Sequence, residues 1–163
     1  MEKIVLIVHN VRSTHNVGSL LRTADGLGVT KVYFTGYTPH PLYKGDSRLP
    51  HIAEKLTGQI HKTALGAETS VGWEYQADIE AVIKKLKVDG HQVVALEQAE
   101  GSIKLPDFNP ADKVAIIVGR EVEGIEPEVL AIADKVVEIP MLGQKESLNV
   151  AQAAAIALYQ LQY

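Results

Sequence analysis

Apolar, β-branched segments alternate along this chain with segments of helical period. The apolar segments predict buried strands over residues 4–8, 31–35, 92–96, 114–118 and 135–139. Their continuous apolar composition is typical of strands covered on both faces. Apolar residues spaced three or four apart predict helices over residues 17–27, 79–86, 126–133 and 148–161. Strands alternating with helices indicate an α/β fold, with a mostly parallel sheet and helices on both faces.

Size and composition fit one domain. With 163 residues, of which 46% are hydrophobic, the chain can bury a core without cross-links, so we treat residues 1–163 as a single domain with no accessory binding domain. The absence of cysteine excludes disulfides, thiolate metal sites and a cysteine nucleophile. Only five consecutive apolar residues precede His9, too few for a signal peptide or a membrane span. We therefore expect a cytoplasmic protein without membrane contact, and no metal.

Charge is distributed unevenly along the chain. The formal net charge is −4, but residues 1–62 hold eight Lys or Arg against four Asp or Glu, whereas residues 63–163 hold eight against sixteen. The basic residues of the first part include Arg12, Arg22, Lys44, Arg48, Lys55 and Lys62. A surface formed by them could contact phosphate groups, or it could be a solvated face with no ligand. On charge alone, the solvated face is the simpler interpretation.

The first candidate site lies where the first predicted strand turns into a helix. Gly18, Arg22 and Gly26 are spaced four residues apart, so we expect Arg22 to project between two glycine patches. An arginine near a helix amino terminus favours an anionic ligand. The alternative is structural: Asn16 caps the helix, the glycines allow helix packing and Arg22 is solvated.

A second candidate is the sequence GREVEG at residues 119–124, directly after a predicted strand. It matches neither the phosphate-binding loop nor the dinucleotide-binding turn. Glu121 could orient a substrate group or accept a proton. It could equally be a solvated residue of a surface turn.

A third candidate is the segment 137–150, VEIPMLGQKESLNV, which leads from the last predicted strand into the final helix. Open α/β sheets bind ligands at the carboxyl ends of their strands, and this loop has Gly143 for close approach and polar groups for recognition. Asn149 and Gln152 also have the spacing of a helix cap and its partner, so a capping role is the alternative.

Together the three segments resemble a known family. Asn-x-Gly-x-x-x-Arg-Thr at 16–23, Gly-x-Glu-x-x-Gly at 119–124, and Ile-Pro-Met followed by Ser-Leu-Asn within 139–149 are similar to the three ordered motifs of the SpoU/TrmH RNA 2′-O-ribose methyltransferases of the SPOUT superfamily. The resemblance runs from the first strand to the last helix. It implies methyl transfer from S-adenosylmethionine to a ribose 2′-hydroxyl. It also implies a deep carboxyl-terminal trefoil knot and a homodimer with each active site near the interface.

The resemblance also implies roles for individual residues. The implied cofactor contacts are Leu96, Gly119, Ile139, Ser147 and Leu148, and the implied catalytic set is Asn16, Arg22, Glu121, Ser147 and Asn149. A guanidinium stays protonated in proteins, so Arg22 suits a phosphate clamp that stabilises a developing alkoxide better than it suits a base. The proton acceptor stays open between Glu121, a water molecule and a phosphate oxygen.

The RNA surface is expected on the basic first part of the chain. A minimal catalytic domain must bind RNA with its own dimer surface, which favours structured tRNA over rRNA. Prolines and glycines interrupt every period in residues 36–73, and long loops are often functional. This segment could be a lid, an RNA-contacting flap or a variable excursion with a short helix over residues 52–56.

Several alternatives stay open at this stage. They are an rRNA 2′-O-methyltransferase, a noncatalytic RNA-binding homodimer of the same fold, a knotted enzyme that methylates a base, and a small-molecule α/β enzyme. The sequence identifies neither the RNA nor the nucleotide position, and it does not reveal whether an accessory protein is needed.

Overall fold

The computed structural model describes residues 3–163, which form one parallel sheet with helices on both faces. The strands are β1 (Ile4–His9), β2 (Lys31–Thr35), β3 (Trp73–Tyr75), β4 (Gln92–Leu96), β5 (Ile103–Lys104), β6 (Val114–Val118) and β7 (Lys135–Glu138). The helices are α1 (Thr14–Gly26), α2 (Pro50–Ala64), α3 (Ala67–Ser70), α4 (Ile79–Val88), α5 (Pro127–Ile132) and α6 (Val150–Gln162). Within the described range, the strands pair in the order β3-β2-β1-β6-β4-β7-β5, and every pair is parallel.

The predicted α/β fold is therefore confirmed, and all five predicted strands form. The missed strands are the two at the edges of the sheet, β3 and β5. They contain three and two residues, and none of these residues is fully buried. Strands this short do not show an alternation that sequence patterns can detect.

Two hydrophobic layers cover the sheet. Leu6 and Val8 of β1 face a core shared with α1, α2 and α6, whereas Val5 and Ile7 face a second core shared with α4 and α5. Because successive residues of a strand point to opposite faces, burial of both faces requires a continuous apolar run. The central strands β1 and β6 are buried over their whole length, which explains their continuous apolar sequences.

Helices α2 and α3 take up half of the segment 36–73, so the short helix over residues 52–56, part of one of the three alternatives, is longer than expected. Helix α2 has 15 residues, and Ala53, Ile60 and Ala64 are buried on its inner face. Gly58 interrupts the sequence pattern but lies inside the helix, where nothing fills the space beside it. The helix packs on α1. The inner face of α2 is thus part of the core, and a lid formed by the whole segment is not supported.

The expected pair of glycine patches beside Arg22 is also wrong. A Cβ on Gly18 would overlap the carbonyl oxygen of Ile60 and the hydroxyl of Thr63, so α2 covers this glycine. Gly26, in contrast, is exposed, and a Cβ added there would have no neighbouring atom within 4 Å. Gly18 therefore serves close helix packing, which was the structural alternative.

We predict that Gly18→Ala lowers the free energy of unfolding by about 1–3 kcal/mol, because the added methyl meets backbone atoms that cannot rotate away. Gly26→Ala is the matched control in the same helix, and we expect it to change stability by less than about 1 kcal/mol. Urea denaturation of both variants measures the difference. Equal stability of the two variants would contradict the packing argument.

Candidate active site

A cavity of about 260 Å³ opens at the carboxyl ends of β4, β6 and β7. Its walls contain Leu96, Glu97, Gln98, Val118, Gly119, Arg120, Glu121, Val122, Gly124, Glu138, Ile139, Met141, Glu146, Ser147, Leu148, Val150 and Ala153. All five residues predicted to contact a cofactor are among them. Gly143, expected to allow close approach, is exposed and does not line the cavity. The location is the one where parallel sheets usually bind ligands.

Glu97 connects strand β4 to the loop 119–125. Its carboxylate accepts hydrogen bonds from the backbone N–H groups of Gln98 and Ile125, both at 2.9 Å. Gly124 has a φ of +74°, and a Cβ there would overlap this carboxylate. The glycine is thus required by both conformation and space. Glu97 was missed, although it directly follows a predicted strand, which is the signal that identified Glu121.

Three of the predicted catalytic side chains form a hydrogen-bonded chain beside the cavity. Asn149 Nδ2 donates to Asn16 Oδ1 at 3.2 Å, and Asn16 Nδ2 donates to Glu121 Oε1 at 3.4 Å. Asn16 is only 9% exposed, whereas Glu121 and Asn149 are exposed. The carboxylate is therefore oriented from its buried side and open to a ligand on the other.

The predicted alternative, in which the asparagine only caps a helix, is wrong for Asn16 but right in part for Asn149. Helix α1 begins earlier than predicted, and its cap is Ser13, whose hydroxyl accepts from the Asn16 N–H at 3.1 Å. The Asn16 side chain is thus free to bind Glu121. Asn149 does cap α6, since its Oδ1 accepts from the N–H of Ala151 at 2.9 Å and of Gln152 at 3.3 Å. Its Nδ2 remains for Asn16, so one side chain serves both purposes.

The other two predicted catalytic residues differ in position. Ser147 is exposed in the cavity wall, on the loop before α6. Arg22 is exposed on α1 and does not line the cavity. In the part of the chain that the structure describes, the Arg22 side chain has no hydrogen bond or ion pair. Within one chain, therefore, the structure groups Asn16, Glu121, Ser147 and Asn149 and leaves Arg22 apart.

A polar cluster lies at the carboxyl ends of β1, β2 and β6. It is formed by the buried His9 and Thr35 and the partly buried Asn10, Arg120 and Glu126. Asn10 Nδ2 donates to Glu126 Oε1 at 2.8 Å, and His9 Nδ1 lies 2.8 Å from Thr35 Oγ1. Arg120 Nε donates to the carbonyl of Gly124 at 2.9 Å and lies 3.4 Å from Glu126 Oε1. These contacts hold both ends of the loop that carries Glu121. No sequence pattern indicated this cluster.

Burial and neighbouring polar groups together determine the charge states of His9 and Glu126. Burial lowers the pKa of His9, although the nearby Glu126 carboxylate acts in the opposite direction. For Glu126, burial acts to raise the pKa, but the hydrogen bond from Asn10 and the charges of His9 and Arg120 together lower it. Glu126 Oε2 has no hydrogen bond among the described residues and lies 3.2 Å from His9 Nε2. At neutral pH the pair is thus a carboxylate beside a neutral imidazole.

Arg48, one of the basic residues of the expected RNA surface, already has partners within the chain. The Arg48 guanidinium pairs with Asp46 at 2.6 Å and donates to the carbonyls of His40 and Pro41, both at 3.0 Å. The hydrogen bonds from Arg48 lower the pKa of Asp46 to about 2. Arg48 therefore cross-links the turn before α2. Among the other basic residues of the first part, Arg12, Lys44, Lys55 and Lys62 are exposed and able to contact a ligand.

We predict that the free energy of unfolding falls as the pH decreases from about 7.5 to 5.5. The buried His9 and His40 both have lowered pKa values, so the unfolded state takes up protons first, and stability is lost as the pH falls through the folded pKa. His9→Gln should remove part of this pH dependence, and adding His40→Gln should remove more. Urea midpoints across this range test the prediction. An unchanged pH dependence in the double variant would contradict it.

Two kinds of feature are absent from the described residues, 3–163. No helix in this range is long and apolar enough to cross a membrane. No group of three or more His, Asp or Glu side chains in the same range could hold a metal ion.

The chain matches known proteins over almost its whole length. Residues 3–159 match the family model of the SpoU rRNA Methylase family. The chain is 30% identical over 162 residues to a protein of Aquifex aeolicus named tRNA (guanosine(18)-2'-O)-methyltransferase, covering 98% of this chain and 68% of that protein.

Solved structures agree with this match. The AdoMet-bound rRNA methyltransferase from Sinorhizobium meliloti superposes with a TM-score of 0.81 at 25% identity, covering 98% of this chain but only 55% of its own. The TrmH/SpoU tRNA modifying enzyme of A. aeolicus superposes with a TM-score of 0.80 at 26% identity, covering 99% of this chain and 75% of its own. The chain thus spans between half and three quarters of these proteins.

Proposed function

Because the chain belongs to the SpoU rRNA methylase family, we propose that it transfers a methyl group from S-adenosylmethionine to a ribose 2′-hydroxyl of RNA. The family and the methyltransferase class, both predicted from the three motifs, are confirmed by the family match and the named relatives. The observation that carries the proposal is the hydrogen-bonded chain of Asn16, Glu121 and Asn149. It borders a cavity whose wall contains every predicted cofactor residue.

The cavity has the chemistry that S-adenosylmethionine requires. Leu96, Ile139 and Leu148 offer apolar surface for the adenine, together with backbone groups that can recognise its edge. The wall also contains the carboxylates of Glu97, Glu121, Glu138 and Glu146 against one arginine, which favours a cationic sulfonium. When bound, the cofactor supplies an activated methyl group. The protein then needs to place the hydroxyl and accept its proton.

The residues around the cavity divide this work. Glu121, oriented by Asn16, would hold the ribose hydroxyl and is one candidate proton acceptor, with water and a phosphate oxygen as the others. Asn149 would fix Asn16, and Ser147 would hold the loop or the ribose. Arg22 would grip a backbone phosphate and stabilise the developing alkoxide.

Within one chain Arg22 does not line the cavity, so a second copy of the chain is needed to bring an Arg22 side chain to the site. Helix α6 runs beside α1, with Gln162 contacting the carbonyl of Leu27, and its outer surface exposes Ile156, Tyr159 and Tyr163. An apolar helix surface of this kind fits an interface between two copies. We propose that Arg22 of one copy completes the cavity of the other. The carboxyl-terminal trefoil knot and a cytoplasmic location are part of the same proposal.

The proposed substrate is tRNA. One relative and one solved structure, both from A. aeolicus, are named as tRNA enzymes. The chain covers 68% and 75% of their lengths, against 55% of the Sinorhizobium rRNA methyltransferase. An rRNA substrate is the alternative, because that neighbour has a similar TM-score.

Labelled-methyl transfer to separately purified tRNA and rRNA tests the function. We expect wild type to label ribose in tRNA, and Arg22→Ala to reduce the rate by at least about a hundredfold, since electrostatic groups of this kind contribute about 10² to 10³. Cofactor affinity should be unchanged, because Arg22 does not line the cavity of its own chain and its proposed ligand in the other copy's site is an RNA phosphate, not the cofactor. Nuclease digestion locates the methyl.

Other outcomes of this experiment would each exclude part of the proposal. A methyl group on a base would indicate a base-methylating enzyme. Cofactor binding without transfer to either RNA would contradict the proposed substrates. Absence of cofactor binding would favour a noncatalytic RNA-binding homodimer.

Charge reversal tests the RNA surface. We predict that Lys44→Glu and Lys62→Glu each weaken tRNA binding and reduce the slope of binding constant against salt, because each exposed cation would neutralise a phosphate. Lys84→Glu is the matched control, exposed on α4 at the opposite face of the sheet. Equal losses in all three variants would contradict a surface on this face. Arg48 is unsuitable for the test, because its replacement would release the turn that it cross-links.

A further inference from the structure

Arg12 and Tyr37 form an exposed pair at the carboxyl edge of the sheet that the proposed reaction does not use. Arg12 follows β1, Tyr37 follows β2, and the guanidinium carbon lies 5.4 Å from the centre of the Tyr37 ring. Tyr37 is 49% exposed, and Arg12 is also exposed. Core packing therefore does not explain the position of this aromatic ring.

The backbone beneath the pair is held by side-chain hydrogen bonds. The Tyr37 N–H donates to Asn10 Oδ1 at 3.0 Å, and the Val11 N–H donates to Thr38 Oγ1 at 3.1 Å. Asn10 has a φ of +55° and Gly36 a φ of +64°, and a Cβ on Gly36 would overlap the Asn10 side chain. Left-handed backbone at a residue other than glycine is costly and is concentrated at functional sites. The two turns therefore present Arg12 and Tyr37 in one arrangement.

The pair lies on the same edge as the proposed catalytic residues. Arg12 immediately precedes Ser13, the cap of the helix that carries Asn16. Asn10, which holds Tyr37, also holds Glu126 at the end of the loop that carries Glu121. A group bound at the pair and a group bound at Glu121 would thus be held by one hydrogen-bonded framework.

We propose that Tyr37 and Arg12 form a platform on which an unpaired base of the substrate RNA stacks, near the nucleotide whose ribose is methylated. Sequence-tolerant RNA sites combine an exposed aromatic ring with positive charge, and arginine strengthens stacking through its contact with the ring. Arg12 covers part of the ring and adds charge, and the exposed part of the ring takes the base. The basic excess of residues 1–62 suits the same ligand. This inference rests on the proposed function, since it assumes an RNA substrate.

Two substitutions at one position test the stacking. Tyr37→Phe keeps the aromatic ring, whereas Tyr37→Leu keeps apolar bulk without it. We expect Phe to retain the affinity for tRNA within about twofold and Leu to weaken it by about 5- to 150-fold, the range measured for loss of base stacking. The salt dependence should not change in either variant. Arg12→Gln should instead reduce the steepness of a plot of log binding constant against log salt concentration by about one unit.

The measurements are tRNA affinity across a series of salt concentrations, KM for tRNA, and affinity for S-adenosylmethionine. Weakened tRNA binding with normal cofactor affinity supports the platform, and thermal unfolding verifies that each variant is folded. Equal affinity of the Phe and Leu variants would overturn it. If wild type transfers methyl to tRNA while Tyr37→Leu keeps the wild-type KM, only the platform is wrong. If wild type transfers no methyl to RNA, the proposed function itself fails.

Discussion

The side chain of Asn10 makes the hydrogen bonds on which the carboxyl edge of the sheet depends. It donates to Glu126 at 2.8 Å and accepts from the Tyr37 backbone at 3.0 Å, so one residue joins the ends of β1, β2 and the segment after β6. This requires a left-handed backbone at Asn10, which asparagine tolerates better than most residues, and a glycine at position 36. Removing the side chain would take the 2.8 Å donor from the partly buried Glu126 carboxylate and leave Arg120, 3.4 Å away, as the neighbour of that oxygen.

The same framework explains why structural and functional roles coincide at several residues. Asn149 caps α6 with its oxygen and holds Asn16 with its nitrogen, so the helix start and the candidate site share one side chain. Glu97 fixes the loop before α5 and also lines the cavity. Because Asn149 holds Asn16 and Asn16 in turn holds Glu121, the Glu121 carboxylate is oriented before any ligand binds, as preorganised electrostatic sites require.

Electrostatics at the surface depend on position rather than on residue type. Arg48 and Lys44 look equivalent in the sequence, but Arg48 is bound by Asp46 and two carbonyls, whereas Lys44 is exposed. The exposed Lys44 is therefore the more accessible of the two to an RNA phosphate. The number of basic residues in residues 1–62 is therefore larger than the number of free positive charges that a ligand would contact. The excess is still positive, as binding of a polyanion requires.

The sequence alone determined the α/β class, the five longer strands and the family, because strand and helix periods and the three motifs are each encoded in consecutive residues. It also identified four residues that the structure groups at one edge, since strand ends in a parallel sheet meet there. Only the tertiary structure decided which partners they have. Asn16 and Glu121 are separated by 105 positions, and Asn10 and Glu126 by 116. The tertiary structure likewise decided that Gly18 faces α2 and that Arg22 lies outside the cavity wall of its own chain. Such contacts depend on how elements distant in sequence pack together, which a local sequence pattern does not contain.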